Sequence, residues 1–112
     1  MGRISAVYAI CNHVTGEAYI GASWNVAKRW KQHQYHLVRG SHHNAPLQQG
    51  FLRTGHDGVA LVILERLGDE GIEHCSPHPN WLKTERRRLA RARAVGIVLY
   101  NDQVRKGRRV AA

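Results

Sequence analysis

Two apolar runs with a polar turn between them open the chain. Residues 5–11 are mostly apolar and include β-branched and aromatic members, which predicts a buried strand. Residues 12–16 have turn chemistry, and Gly16 can adopt a positive φ. Residues 17–22 are predicted to form a second strand. The start of the chain is therefore predicted to be a β-hairpin.

Two helices are predicted to follow the hairpin. Ser23 is the predicted N-cap of a helix over residues 24–39, which Gly40 ends. After a polar connector, Pro46 suits the first turn of a second helix that stops at Gly55. The residues expected to face the core are Val26, Trp30, Leu37 and Val38 in the first helix, and Leu47, Phe51 and Leu52 in the second.

The second half of the chain predicts one more strand and one more helix. The continuous apolar run over residues 59–64 predicts a central strand. A loop over residues 68–79 and a helix over residues 81–95 follow, and then a short extended piece at 97–100. The residues of this helix expected to face inward are Trp81, Leu82, Leu89 and Ala92. This order predicts an α+β fold with a small mixed or antiparallel sheet of about three strands flanked by helices.

Charge is distributed unevenly along the chain. Seventeen Lys and Arg against eight Asp and Glu give a net charge of +9, and ten of the basic but only two of the acidic residues follow Asn80. We expect one domain over residues 1–103 and a basic, disordered tail over residues 104–112. A basic C-terminal third is typical of a nucleic-acid binder. The alternatives are a solubilising tail or a surface for anionic membranes.

Cysteine and histidine usage indicates little beyond a reducing environment. Cys11 and Cys75 provide no disulfide framework, so a cytoplasmic location is expected. No apolar run approaches the ~20 residues that span a bilayer, and the N-terminus has no signal-peptide pattern. Cys11 with His13, or Cys75 with His74 and His78, are weak zinc candidates because no Cys-x2-Cys pair is present.

Two tyrosines lie on the strands of the predicted hairpin, and the strand register decides whether they meet. A two-residue turn would leave Tyr8 roughly 13 Å from Tyr19. A longer loop that pairs Cys11 with Gly16 would place Tyr8 directly opposite Tyr19, and this is the predicted register. The alternative to a functional pair is that both rings simply pack in the core.

Three polar side chains on predicted helices are candidates for chemistry. Arg29 and His33 are four residues apart and share a helix face, where a guanidinium and an imidazole suit a phosphodiester. The alternative is a solvated basic face. Glu85 lies on the inward stripe of an arginine-rich helix, where a carboxylate is costly unless it is paired or bound to a cation. It is the candidate ligand for Mg²⁺ or Mn²⁺, and the alternative is an ion pair with Arg29 or a helical neighbour.

Basic residues near these candidates predict contacts with a nucleic-acid backbone. The run at Arg86–Arg88 is adjacent to Glu85, but its three side chains diverge around the helix, so they cannot all bind one row of phosphates. Arg86 is the favoured contact, and Lys28 and Lys31 extend the surface. No base-reading module is evident, which predicts weak sequence preference.

Several short motifs, taken in this order, resemble the GIY-YIG nuclease superfamily, in particular the catalytic domains of phage and intron-type homing endonucleases. The resemblance covers residues 4–102. The matching residues are Ala6-Val7-Tyr8 at the first signature, Tyr19-Ile20-Gly21 at the second, Arg29 and His33 in the Arg-x3-His motif, Gly40-Ser41-His42 in the connector, Glu85 at the metal-binding glutamate and Asn101 at the late asparagine.

The resemblance implies a metal-dependent endonuclease that cuts DNA with one divalent cation. Glu85 is expected to hold the Mg²⁺ or Mn²⁺, and Arg29 to stabilise the transition state. The other roles it implies are a general base at Tyr8, an orienting hydroxyl at Tyr19, an alternative base or proton relay at His33, a structural or phosphate-orienting amide at Asn101 and a nucleic-acid contact at His42.

Three questions of function stay open at this point. The DNA substrate is either single- or double-stranded. A homodimer or a separate target-binding partner is possible, because homing enzymes normally carry a target-binding domain that these residues do not provide. The competing hypotheses are a non-catalytic, basic nucleic-acid-binding module on the same fold and a zinc-stapled adaptor.

Overall fold

The computed structural model describes residues 4–67 and 79–103. Within these ranges the elements are strand β1 (Ala6–Asn12), strand β2 (Ala18–Ser23), helix α1 (Val26–Arg39), helix α2 (Ala45–Thr54), strand β3 (Val59–Arg66) and helix α3 (Pro79–Ala94). A single 3₁₀ turn, His56–Gly58, leads into β3. The predicted element order and the α+β class are confirmed. None of the described helices is long and apolar enough to cross a membrane.

The three strands form one antiparallel sheet in the order β2-β1-β3. β1 is therefore the central strand, and the prediction that residues 59–64 form a central strand was wrong. β1 is almost completely buried, whereas β3 lies at an edge and leaves Val62 and Ile63 exposed. Both strands read as continuous apolar runs, so the run alone did not distinguish a central strand from an edge strand.

Alternate residues of β1 point into two separate apolar clusters. Tyr8 and Ile10 pack with α1 and α2 on one face of the sheet, and Val7 and Ala9 pack with α3 on the other. This alternation is the period-2 geometry of a strand. β1 consequently connects both layers, and Tyr8 lies in the layer that α1 and α2 cover.

The hairpin register differs from both of the predicted alternatives. Cys11 pairs with Ala18, and Tyr8 pairs with Gly21 rather than Tyr19. The cause is Asn12, whose side-chain oxygen accepts hydrogen bonds from two backbone N–H groups of the turn and whose own N–H donates to the carbonyl of residue 17. This Asx turn lies one residue further along the chain than the predicted long loop. The last pair before the loop is therefore Asn12 with residue 17, and not Cys11 with Gly16.

The predicted C-terminal end of α1 is confirmed, whereas the predicted N-cap was wrong. Gly40, with φ of 78°, ends the helix as predicted. The N-cap is Asn25, whose side chain accepts from the N–H of Lys28, and not Ser23, whose hydroxyl accepts from the N–H of Asn25. The predicted inward residue Val38 is exposed instead.

Two other residues predicted to face inward are exposed as well. Leu52 of α2 and Leu82 of α3 lie on the solvent side of their helices, while Phe51 and Trp81 beside them are buried. Adjacent helical residues point about 100° apart, so only one of each apolar pair reaches the core. The greater part of the predicted loop over 68–79, the zinc candidates His74, Cys75 and His78, and the predicted tail lie outside the described residues.

Candidate active site

The two signature tyrosines lie on the same face of the sheet, on adjacent strands. Because Tyr8 pairs with Gly21, Tyr19 is its diagonal neighbour two residues along β2. The Tyr8 hydroxyl extends over Gly21, where a Cβ atom would come within 2.7 Å of the phenolic oxygen. The glycine of the second signature thus leaves room for the tyrosine of the first.

A chain of hydrogen bonds connects Tyr8 to the connector between α1 and α2. The Tyr8 hydroxyl lies 2.7 Å from Nε2 of His33, and Nδ1 of His33 lies 2.7 Å from Nε2 of His42. Nδ1 of His42 accepts a hydrogen bond from the backbone N–H of Asn44, at 3.0 Å. All four residues of this relay are buried. His33, rather than the predicted Val38, completes the buried stripe of α1.

The backbone N–H at the end of this relay determines its direction. A backbone N–H can only donate, so neutral His42 must carry its proton on Nε2 and donate to His33. His33 must then carry its own proton on Nε2 and donate to the Tyr8 oxygen. The Tyr8 hydroxyl hydrogen consequently points away from the histidines, and His33 is placed to stabilise a Tyr8 phenolate rather than to deprotonate the phenol.

The environment keeps both imidazoles and both phenols of this site neutral. Burial, followed by the positive charge of Arg29, lowers the pKa of His33 to about 3. Burial and the neighbouring His43 lower the pKa of His42 to about 4. Burial raises the pKa of Tyr8 and of Tyr19 above the ordinary phenol value. Arg29 lowers the pKa of both phenols, but burial is the larger effect.

Arg29 is the cation at the centre of the site. It is partly buried on α1, and its charge lowers the pKa of five surrounding ring groups: Tyr8, Tyr19, His33, His42 and His43. Its guanidinium donates to the side chain of Gln32, at 3.0 Å. The predicted alternative, an ion pair with Glu85, is not formed. A guanidinium in this position is suited to an anion bound between the tyrosines and the histidines.

Among the carboxylates of residues 4–67 and 79–103, Glu85 of α3 is the one whose charge raises the pKa of both the Tyr8 and the Tyr19 hydroxyls. Burial raises its own pKa, and Arg86 beside it opposes this shift. Within residues 4–67 and 79–103 its carboxylate has no hydrogen bond or ion pair. A half-buried carboxylate without a partner fits a divalent cation that takes one protein ligand and completes its shell with water and phosphate oxygens. The same ranges contain no cluster of three or more His, Cys, Asp or Glu that could hold a metal ion, which leaves the zinc candidates Cys11 and His13 without support.

Asn101 uses its amide to hold β2. Its side-chain oxygen accepts from the N–H of Ile20 and its NH₂ group donates to the carbonyl of Ile20, both at 2.9 Å. These backbone groups face the outer edge of the sheet, where no further strand of the described part of the chain pairs with them. Asn101 therefore positions the strand that carries Tyr19.

The proposed DNA contacts fall into two groups. Lys28, Lys31 and Arg86 are exposed, as a backbone contact requires, whereas His42 is buried and belongs to the relay. Several arginines of α3 are used within the fold: Arg87 and Arg88 pair with Glu65, and Arg93 pairs with Asp102. Sequence reasoning did not single out His43, although it stands in the connector motif and its ring stacks on that of His42 with centroids 4.5 Å apart.

Comparison with known protein families agrees with this fold and geometry. Residues 4–71 match the GIY-YIG catalytic domain, which is more than half of the chain. The chain belongs to the GIY-YIG family of catalytic domains. Its sheet, its two tyrosines and the arginine between them are the features that the sequence resemblance predicted for this class.

One phage relative and two solved structures of a catalytic domain locate the chain within the class more closely. Over 61 residues the chain is 35% identical to Intron-associated endonuclease 1 of Enterobacteria phage T4, and the aligned region covers 54% of this chain and 25% of that protein. The chain thus spans about a quarter of that relative's length. The solved catalytic domain of homing endonuclease I-TevI superposes with a TM-score of 0.56 at 29% identity, covering 73% of this chain and 88% of the domain. A point mutant of the same domain matches with the same TM-score over 77% of this chain.

The buried relay predicts that acid destabilises the fold. In the unfolded chain His33 and His42 take up protons as the pH falls below 6.5, but in the folded state they do so only near about 3 and about 4. Between these limits the unfolded state binds more protons, so each histidine lowers the free energy of unfolding by up to about 1.4 kcal/mol per pH unit. Glu85 has the opposite effect on the free energy of unfolding. Because its pKa is raised, the folded state binds a proton at a higher pH than the unfolded state does.

Urea unfolding at pH values from 7 to 4 would measure this loss. We expect the free energy of unfolding to fall steeply below pH 6.5, and less steeply in the variant His33→Gln, which has one titrating group fewer. An equal slope in the variant and the wild type would show that the relay does not cause the acid sensitivity.

Proposed function

We propose that this domain hydrolyses phosphodiester bonds of DNA in a reaction that depends on one divalent cation held by Glu85. The observation that carries the proposal is that the charges of Arg29 and Glu85 both act on the hydroxyls of Tyr8 and Tyr19, while Glu85 has no hydrogen bond or ion pair within residues 4–67 and 79–103. A domain that only binds nucleic acid needs basic side chains, but it has no need of a half-buried carboxylate among them.

Glu85 is the residue that would hold the cation. Bound there, Mg²⁺ or Mn²⁺ supplies positive charge that stabilises negative charge developing on the scissile phosphate. Arg29 supports the same charge from the side of α1, where its position among the rings favours a phosphate oxygen. The carboxylate and the guanidinium thus enclose the phosphate from two different elements of the fold.

Tyr8 is the proposed general base for the attacking water. Its oxygen accepts the Nε2 proton of His33 in a hydrogen bond, so that a phenolate at this position is stabilised by a donor already in place. The phenolate takes the proton that the water loses on attack. His33 and His42 keep the same direction of donation throughout, because the N–H of Asn44 holds the end of the relay.

A polar hollow beside Arg29 can bind the phosphate that lies next to the scissile phosphate on the DNA strand. It has a volume of about 130 Å³ and is lined by Ser23, Trp24, Asn25, Lys28, Arg29 and Gln32. Two cations in one hollow favour an anion, and the hollow adjoins the guanidinium assigned to the scissile phosphate. No base edge is read here, so weak sequence preference is expected.

Nicking of a supercoiled plasmid tests the proposal. The wild-type domain should nick the plasmid with Mg²⁺ or Mn²⁺ and stop when EDTA is added. Arg29→Ala should lose this activity, whereas Arg53→Ala, at an exposed arginine near the end of α2, should retain it. A domain that shifts DNA in a gel but leaves the plasmid intact with either metal would be the non-catalytic binding module instead.

A further inference from the structure

His43 is the outermost of three stacked imidazole rings at the mouth of the site. Its ring lies 23° from the plane of the His42 ring, and it is exposed whereas His33 and His42 are buried. Its Nε2 atom lies 3.4 Å from the hydroxyl oxygen of Tyr19. The reaction proposed above assigns no task to His43, although it is the hydrogen-bond partner of one of the two signature tyrosines.

The site therefore contains two pairs of a tyrosine and a histidine, which differ in burial. The inner pair is Tyr8 with His33, and the outer pair is Tyr19 with His43. In the inner pair, His33 must donate to Tyr8, because its other nitrogen accepts from the relay. In the outer pair, His43 is exposed and has no other hydrogen-bond partner in the described ranges, so its proton can occupy either nitrogen. Tyr8 and His33 of the inner pair are both buried, whereas His43 of the outer pair is exposed.

Hydrolysis of a phosphodiester needs an acid as well as a base, because the leaving oxygen must gain a proton. Tyr8 is assigned to the base. Tyr19 is the second hydroxyl of the site, and it keeps its proton because burial disfavours the phenolate. The acid must recover its proton after each turnover, and His43 is an exposed group within hydrogen-bond distance of the Tyr19 hydroxyl.

We propose that Tyr19 protonates the leaving oxygen and that His43 returns the proton to Tyr19 from bulk water. This inference rests on the proposed phosphodiester hydrolysis. The water oxygen bonds to phosphorus, the bond from phosphorus to the leaving oxygen breaks, and that oxygen takes its electron pair and the Tyr19 proton. The Nε2 proton of His43 then moves to the Tyr19 oxygen while a solvent proton binds Nδ1, and exchange with water restores the starting tautomer.

A substrate with sulfur in place of the leaving oxygen separates this role from a structural one. Such a bridging phosphorothiolate, prepared as the 3′ and the 5′ isomer at a bond that the wild type cuts, releases a thiolate that needs no proton. His43→Ala should cut ordinary DNA about 10²-fold more slowly than the wild type. On the isomer whose sulfur is the leaving atom, the variant should match the wild type.

Added imidazole provides a second readout, because the exposed position of His43 leaves room for a free ring. Imidazole should restore cutting of ordinary DNA by His43→Ala but not by the double variant Tyr19→Phe, His43→Ala, which has no hydroxyl to receive the proton. His43→Phe keeps a stacked ring and should be as slow as His43→Ala. His56→Ala, at an exposed histidine that packs on Phe51, serves as the control that cuts normally.

Two results would overturn the role of His43. Equal slowing of His43→Ala on the oxygen and sulfur substrates would mean that the ring only supports its neighbours. Wild-type cutting by His43→Phe would mean that no proton passes through it. Both results presuppose a wild type that cuts, so they are distinct from a failure of the wild type itself, which would remove the proposed hydrolysis and this inference together.

Discussion

Replacing Glu85 by glutamine is expected to lower the rate of DNA cleavage by about 10³-fold, because a neutral amide binds a divalent cation much more weakly than a carboxylate does. The charge that a bound cation stabilises is worth several kcal/mol in the transition state, and about 4 kcal/mol corresponds to this factor. Higher concentrations of Mg²⁺ or Mn²⁺ should not restore the rate. Plasmid nicking over a range of metal concentrations measures the effect.

The matched control for Glu85 is Glu65→Gln. Glu65 is also a partly exposed glutamate, but it pairs with Arg87 and Arg88 on the fold's own surface. Its loss should cost at most about 1 kcal/mol of stability and leave cleavage unchanged. The melting temperature gives a second measurement. In the presence of uncleavable DNA, added Mn²⁺ should raise the melting temperature of the wild type but not that of Glu85→Gln. Cleavage by Glu85→Gln at the wild-type rate would show that the metal assignment is wrong.

Replacing Tyr8 by phenylalanine should lower the cleavage rate by about 10²- to 10⁴-fold, the range that general bases contribute. The ring still fills its place in the core, so the fold should persist, but the oxygen that accepts from His33 is gone. Because burial raises the pKa of Tyr8, the phenolate is the minor form at neutral pH, and the wild-type rate should increase as the pH rises. Single-turnover cleavage from pH 6 to 9 measures both effects.

Tyr35→Phe is the control for this substitution. Tyr35 is an exposed tyrosine of α1, and its ring contacts His36 and Arg39 outside the site. It should cut DNA at the wild-type rate. DNA binding by Tyr8→Phe should also be unchanged, since the phenol is not among the phosphate contacts. If Tyr8→Phe cuts as fast as Tyr35→Phe, the base is a different group.

The elements of this fold were predictable from glycines and periodicity, whereas the register was not. Gly40 and Gly55 mark the ends of α1 and α2 because glycine tolerates the positive φ that the backbone adopts at both positions. The pairing of Tyr8 with Gly21 depends on the side chain of Asn12, which accepts two hydrogen bonds within the turn. Such a contact has no periodic signal, and a change of register moves every cross-strand pair.

The candidate site was predictable as a set of residues but not as a network. The spacing of Arg29 and His33 placed both on one helix face, and the resemblance added Glu85 and Asn101. The assignment of His42 to DNA contact did not anticipate its burial, because burial arises from the stacking of His33 and from the backbone of Asn44. A charge pattern in the sequence indicates which residues lie on the surface. The hydrogen bonds of the relay depend instead on how His33 and His42 pack in the folded chain.

The two hydrogen bonds between Asn101 and Ile20 join segments that leave the ribosome at different times. These residues are 81 positions apart, and the nearby bridge between Ala18 and Leu99 ties the same distant segments together. The strand with Tyr19 can therefore be fully secured only after residue 101 has left the ribosomal exit tunnel. A nascent chain that is still being translated would accordingly lack the two hydrogen bonds that hold this strand at the outer edge of the sheet.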